Sequence, residues 1–190
     1  MGVIVRRAKL SDLHKIYKRY TEDFPRCERK PFSRILANTY IFAKNDILVL
    51  CDEGKMVAYS MILKDSAYNA VLVDYLAVLP DERSKGYGSI FIDKFKEFYK
   101  DRLGIIIEIE EPGKADTDEE NLLRDRRKVF YLKNGFEVQP VSLSLFGVEM
   151  NMLYLVISDK PDDFIAMSYD IYNRCVGKKL TERYIHVKHI

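Results

Sequence analysis

The chain has 190 residues, with 31 Lys and Arg against 29 Asp and Glu for a formal charge of +2. Apolar residues make up 47% and charged residues 32%, an ordinary globular composition that argues against intrinsic disorder. The near-neutral balance lacks the concentrated basic footprint of a nucleic-acid domain, although a local basic patch stays open. The length suits one domain, or one domain with a tail, and is enough to bury about 70% of the unfolded surface.

Three cysteines, Cys27, Cys51 and Cys175, lie far apart and are odd in number. There is no CxxC pair, so neither a zinc site nor a disulfide framework is signalled, and free thiols suit a reducing compartment. The histidines His14, His186 and His189 show no HExxH or similar spacing, and no metal site is expected. Met1-Gly2-Val3-Ile4-Val5-Arg6 has no apolar signal-peptide region. Arg6 stands where myristoylation needs Ser or Thr. No apolar run approaches the ~20 residues of a membrane span. The expectation is a soluble cytoplasmic protein without membrane or nucleic-acid partners.

In chain order, Val3 to Arg7 reads as a strand. Ser11 and Asp12 are candidate caps for a helix carrying Leu13, Ile16, Tyr17 and Tyr20 at helical spacing, stopped by Pro25. A short helix starts at Pro31 and includes Phe32, Ile35 and Leu36. Ile47 to Cys51 and Lys55 to Leu63 are β-rich runs joined by Asp52-Glu53-Gly54, a compact hairpin connection. Ala70 to Leu79 is a third run, ended by Pro80. After a charged, glycine-bearing stretch, Phe91, Phe95, Phe98 and Leu103 mark a helix that Gly104 is expected to close. Ile105-Ile106-Ile107 opens a strand apolar on both faces. Glu110 to Asp118 reads as an acidic loop. Glu119 to Asn134 reads as a helix closed by Gly135. Phe136 to Leu145 and Val148 to Ser158 read as a closing pair of strands.

The order β, α, α, β, β, β, α, β, α, β, β gives a mixed-sheet α/β or α+β domain. Val71 to Ile109 is a βαβ crossover, hence one parallel pair among hairpins. Asp159-Lys160-Pro161 marks a break, so the domain is expected over 1–158 with an extension over 159–190. In the extension Phe164, Ser168, Ile171 and Cys175 line one side of a helix closed by Gly177, and Tyr184 to Val187 is a candidate last strand. The extension is too small for a separate domain and is expected to pack on it. Dimerisation through its apolar stripe stays open.

Arg83-Ser84-Lys85-Gly86-Tyr87-Gly88-Ser89 sits where an apolar strand hands over to a helix. Unpaired N–H groups at a helix start carry partial positive charge, and two glycines let them approach a ligand. With Arg83 and Lys85 these residues form a candidate pyrophosphate cradle. They read equally as a glycine-relieved turn with a solvated basic surface. The spacing is neither GxGxxG nor a P-loop.

Arg83-x-x-Gly86-x-Gly88 resembles the acyl-CoA-binding pattern [RQ]xxGx[GA] of the GNAT acetyltransferase superfamily. Phe130-Tyr131-Leu132-Lys133-Asn134-Gly135-Phe136 resembles that family's [LF]YxxxGF segment, at the end of the helix after the central strand. Both motifs stand in the family's order, and the resemblance covers Val3 to Ser158. It implies a GNAT-like fold, with a mostly antiparallel sheet splayed open beside the parallel pair and helices on both faces. It also implies acyl transfer from acetyl-CoA to an amine. Carried over, backbone groups of Leu76, Ala77 and Val78 would pair with the pantetheine arm. The N–H groups from Ser84 to Ser89 would hold the pyrophosphate.

The chemistry needs an uncharged amine, donors for the tetrahedral oxyanion and an acid for the departing thiolate. The resemblance assigns the acid to Tyr131, which also reads as a packed aromatic. An N–H near Ala77 or Val78 would serve the oxyanion. Glu108 and Glu110 share a strand face at its carboxyl end and are the candidate bases, with Asp74 a further buried-looking carboxylate. Each also reads as a salt bridge, a solvated strand end or a simple binder of the cationic amine.

Where relatives often carry Asn and Ala before the Tyr, this sequence has Arg124 and Arg127, on the Tyr131 helix face. The basic run Arg124 to Lys128 reads as an Arg–Glu network, a contact to substrate or CoA phosphate, or a solvated face. The acidic loop Glu108 to Glu120 is a candidate wall of the acceptor site. Tyr20, Glu22, Phe24 and Arg29 occupy the stretch where relatives build acceptor specificity, but each reads more readily as core or surface. A non-catalytic acyl-CoA-binding or regulatory module on the same fold is the alternative. Tyr131 and the neighbouring glutamates favour the enzyme. A nucleic-acid-directed transferase is disfavoured by the charge.

Overall fold

A computed structural model describes residues 2–26, 28–64 and 67–189, so Cys27 lies outside the described residues. Eight strands form one sheet in the order β1-β2-β3-β4-β5-β7-β6-β8. Strand β4 is Val71–Val78 and β5 is Gly104–Glu110. They are neighbours joined through a helix, which makes them the parallel pair of an otherwise mostly antiparallel sheet. The chain divides into two compact units, 1–64 with 73–99 and 65–72 with 100–190.

The first unit holds β1 (Ile4–Arg7), α1 (Leu10–Asp23), α2 (Phe32–Leu36), β2 (Asn45–Asp52), β3 (Lys55–Lys64), most of β4, and α3 (Tyr87–Phe98). Helix α1 starts before the expected caps: Lys9 is the N-cap, and Asp12 in the first turn accepts its backbone N–H at 2.7 Å. Arg6 binds the same carboxylate at 2.6 Å and holds it below its ordinary range. Helix α1 ends because Phe24 precedes Pro25 and is forced to extended backbone, φ −125° and ψ 137°. Pro31 is the cap of α2 rather than its first residue, and the chain runs on as a wider π-type turn, Ala37–Ile41. Asp52 pairs with Lys55, and Glu53 and Gly54 between them are left-handed (φ 47° and 81°), as a two-residue hairpin turn requires. Ile16 and Tyr20 of α1 and Ile35 of α2 are buried against Ile47, Val49, Cys51, Tyr59, Met61 and Tyr75.

The second unit holds β5, α4 (Asp118–Lys133), β6 (Glu137–Leu145), β7 (Val148–Val156), α5 (Phe164–Cys175), α6 (Lys178–Tyr184) and β8 (Ile185–His189). Gly104 does not close α3, which ends at Phe98; it opens β5. A Cβ on Gly104 would lie 2.3 Å from the Tyr154 ring and 2.5 Å from the Leu155 carbonyl. Helix α6 was not expected. It has seven residues, mostly charged, with Thr181 buried, so its apolar periodicity is faint. Strand β8 pairs antiparallel with β6, Leu145 opposite Ile185 and Val141 opposite His189.

Candidate active site

In the first unit, β4 ends at Val78, Pro80–Glu82 makes a single 3-10 turn, and α3 begins at Tyr87. Gly86 is the N-cap, left-handed at φ 82°, and Ser84 is left-handed at 62°. A Cβ at Gly86 meets no atom within 4 Å. Glycine is therefore required there by backbone conformation, and the space over the turn is clear of protein. The helical ladder begins with the Ile90 N–H donating to the Gly86 carbonyl at 3.1 Å. The N–H groups from Ser84 to Ser89, Lys85, Tyr87 and Gly88 included, have no acceptor among the described residues. A run of open N–H groups on the positive end of a 12-residue helix is built for an anion such as a pyrophosphate.

The turn's cations are already steered by carboxylates. Arg83 donates to the Val78 carbonyl and to Asp23, both at 3.3 Å. Lys85 donates to Glu82 at 2.8 Å, and Lys55 donates to the same carboxylate at 2.9 Å. The two ammonium groups, Lys85 first, push the Glu82 carboxyl down to about 2. The Tyr87 hydroxyl donates to Asp52 at 2.5 Å, which pushes the phenol up to about 12 and ties α3 to the β2–β3 hairpin. Leu76, Ala77 and Val78 are half-buried at the end of β4. Asp74 is held by Lys30 at 2.7 and 2.8 Å.

Of the N-terminal candidates, Tyr20 is buried and donates to the Lys30 carbonyl at 3.1 Å. The Phe24 ring meets Tyr75 edge-on, 4.9 Å between centroids, and Glu22 pairs with Arg19 at 2.5 Å. Those three are core or surface residues. The Arg29 Nε is buried without a hydrogen bond among the described residues.

In the second unit, β5 and β7 pair with Ile105, Ile107 and Ile109 opposite Leu155, Leu153 and Asn151, and with Glu108 opposite Met152. Helix α4 lies on the isoleucine face: Lys128 donates to Asn151 at 3.0 Å, and Gly135 approaches Leu155. Helix α5 lies on the opposite face, which carries Ile106, Glu108 and Tyr154; its Phe164 ring meets Tyr154 at 5.2 Å.

Tyr131 is near the end of α4, 8% exposed, with its ring against Phe130 at 5.1 Å and Phe136 at 5.5 Å. Gly135, left-handed at φ 88°, lets the Phe136 N–H return to the Tyr131 carbonyl at 3.1 Å. Among the described residues the Tyr131 hydroxyl has no hydrogen-bond partner. Burial pushes the phenol up to about 12, with Arg127 pulling the other way.

The two glutamates of β5 have different surroundings. Glu110 is held by Arg124 at 3.0 Å and Arg127 at 3.1 Å, and Arg124 also binds Glu120 at 2.8 Å. Arg124 is buried, and its Nε has no partner among the described residues. The Arg–Glu network is therefore present, wrapped over the strand end. Glu108 is half-buried and accepts a short hydrogen bond from Tyr172 of α5. Asn121 orders the acidic loop by accepting from Gly113 at 2.8 Å and Ala115 at 3.0 Å.

Sequence reasoning missed Tyr172, Asp23 and Glu82. Tyr172 carried a signal, since Phe164, Ser168 and Tyr172 recur every four residues along one helix face. Asp23 and Glu82 each have a partner at helical spacing, Arg19 and Lys85, but their links to Arg83 and Lys55 come from residues remote in sequence. Among the described residues, no group of three or more His, Cys, Asp or Glu is placed to hold a metal. Nor is any helix long and apolar enough to cross a membrane.

A family model described as an acetyltransferase (GNAT) domain matches residues 43–138. No curated protein sequence matches the chain. Among solved structures, a GNAT-family protein from Bacteroides thetaiotaomicron is similar at TM-score 0.74 and 18% identity, covering 91% of this chain and 98% of that one. A spermidine N-acetyltransferase from Vibrio cholerae, solved with CoA and spermine, gives TM-score 0.63 and 11% identity over 83% and 97%. The ribosomal-protein-S18-alanine N-acetyltransferase from Escherichia coli gives 0.61 and 14% over 85% and 98%. At these identities the likeness is one of fold.

Proposed function

The chain belongs to the GNAT acetyltransferase family, and on that premise we propose that it moves the acetyl group of acetyl-CoA to a primary amine by direct attack in a ternary complex. The observation that carries this reading is the run of open N–H groups from Ser84 to Ser89 at the start of α3. Those groups, with Arg83 and Lys85, hold the pyrophosphate. The backbone of Leu76, Ala77 and Val78 pairs with the pantetheine arm, and an N–H at Ala77 or Val78 receives the oxyanion.

The amine nitrogen attacks the thioester carbonyl carbon. The C–S bond breaks as the tetrahedral adduct collapses, and the sulfur takes a proton from Tyr131. A phenol held near 12 keeps its proton across the physiological range, so it is always available as the acid. The amine, an ammonium with an ordinary pKa of ~10.4, must first lose a proton. Glu108 takes it, directly or through water. Glu110 is spoken for by two guanidinium groups and instead anchors the middle of α4 to the strand end. A cationic acceptor suits the half-buried Glu108, and a relative of the same fold was solved with CoA and spermine.

The test is CoA thiol release from acetyl-CoA over a panel of polyamines, amino acids, aminoglycosides and peptides. Tyr131→Phe is expected to lower kcat by at least about 10²-fold, as loss of a general acid does. Its acetyl-CoA affinity and Tm should stay unchanged, because the lost hydroxyl has no partner among the described residues. Unaltered kcat in that variant removes the acid role. No thiol release with any amine contradicts the transferase reading and leaves a CoA-binding module.

A further inference from the structure

We propose that the outer face of α4 is a dimer interface for a second copy of this chain, docked antiparallel about a two-fold axis at the middle of the helix. Helix α4 has 16 residues, and its inner side is buried through Arg124 and Tyr131. Its outer side carries Asp118, Leu122, Asp125, Arg126, Val129 and Lys133, which follow one another at the three- and four-residue spacings of a single face. All six are exposed, and the two large apolar ones, Leu122 and Val129, are 51% and 47% exposed. The four charged side chains make no hydrogen bond or ion pair among the described residues. By contrast, Arg124 and Arg127 are engaged on Glu110 and Glu120. The α5 stripe offers no comparable face, because its Ser168 and Ile171 are buried within the chain.

The outer face of α4 is complementary to itself. In a two-fold pair of antiparallel helices, residues meet when their numbers have a constant sum. With the axis between Asp125 and Arg126, Leu122 meets Val129 of the second copy, Asp125 meets Arg126, and Asp118 meets Lys133. Symmetry makes each contact twice, so four apolar side chains form a small core among four acid–base pairs. A slip of one turn either way sets Leu122 or Val129 opposite a charge. A slip of two turns sets Asp125 opposite Glu119 or carries Leu122 past the end of the partner helix. Charge therefore selects the register as well as the partner. A single helix pair about 24 Å long is small beside a standard interface, so the dimer is reversible, with a Kd on the order of 10–100 µM.

The experiment is sedimentation equilibrium of the full chain from about 1 µM to about 1 mM, a range that brackets such a Kd. It compares wild type, Leu122→Glu, Asp125→Arg, Arg126→Asp and an equimolar mixture of the last two, each with a melting curve. Wild type is expected to pass from monomer to dimer across the range. Leu122→Glu should stay monomeric with an unchanged Tm, because the replaced side chain is exposed. Asp125→Arg sets two arginines face to face on each side of the axis, and Arg126→Asp two aspartates. Each alone should weaken self-association at least about tenfold. Their mixture puts an acid opposite a base at both contacts, and should form a heterodimer about as tight as the wild-type dimer. Wild type that stays monomeric throughout overturns the inference. So does a dimer that survives Leu122→Glu, a charge variant that associates as wild type does, or a mixture no tighter than its components.

Discussion

Two glycines show how differently a single residue can be fixed. Gly86 is fixed by its backbone: φ is 82° and a Cβ there would meet open space. Gly104 is fixed by its neighbours, with the Tyr154 ring 2.3 Å from where a Cβ would sit. The first was readable, because it stands in a motif at a strand-to-helix turn. The second was not. A glycine after an apolar helical stripe looks like a helix stop, and only the partner strand shows that it makes room for an aromatic. Gly104→Ala forces the Tyr154 ring and the β7 backbone at Leu155 to shift. We expect a loss of about 3 kcal/mol, the upper end of the overpacking range, read from urea unfolding midpoints. A loss below about 0.5 kcal/mol, within the noise of surface substitutions, would show that the strands accommodate it.

At the scale of elements, the β4–α3 turn is braced from below. Glu82 takes Lys85 and Lys55 together, and its carboxyl is pushed down to about 2, against ~4.3 for a free glutamate. A depressed carboxylate stabilises the fold above its ordinary range, and that contribution fades as pH falls from there toward 2. Glu82→Gln should therefore be less stable than the parent at pH 7. The gap should narrow below about pH 4 and close near pH 2, where the parent's carboxyl is also protonated. Unfolding midpoints across that range check it; a gap independent of pH would mean that the pairing is not the source. Elements with a clear local signal were legible from the sequence: the β2–β3 hairpin, the apolar β5 and the α4 helix with its closing Gly135. Those held by one buried residue or by a remote partner were not. Helix α6 offers Thr181 alone to the core. The true start of α1 depends on Arg6 from the preceding strand holding Asp12.

For the molecule as a whole, the order of elements and two short motifs were enough to place the family, because each motif falls where the chain needs an unusual backbone. The chemistry around Glu108 was only half legible. Alternation along β5 put Glu108 and Glu110 on one face, but a strand pattern says nothing about which helix covers that face. The acceptor's identity is written in no motif. The claim on which everything else stands is that the α3 turn holds acetyl-CoA. The measurement that tests it most directly is calorimetric titration of the full chain with acetyl-CoA, alongside Gly86→Glu. The account predicts binding in the micromolar range for the wild type. It predicts loss of that binding in the variant, whose added side chain points a carboxylate into the anion cradle while the melting curve still shows a folded chain. Equal binding by a folded Gly86→Glu, or none by the wild type, would contradict it.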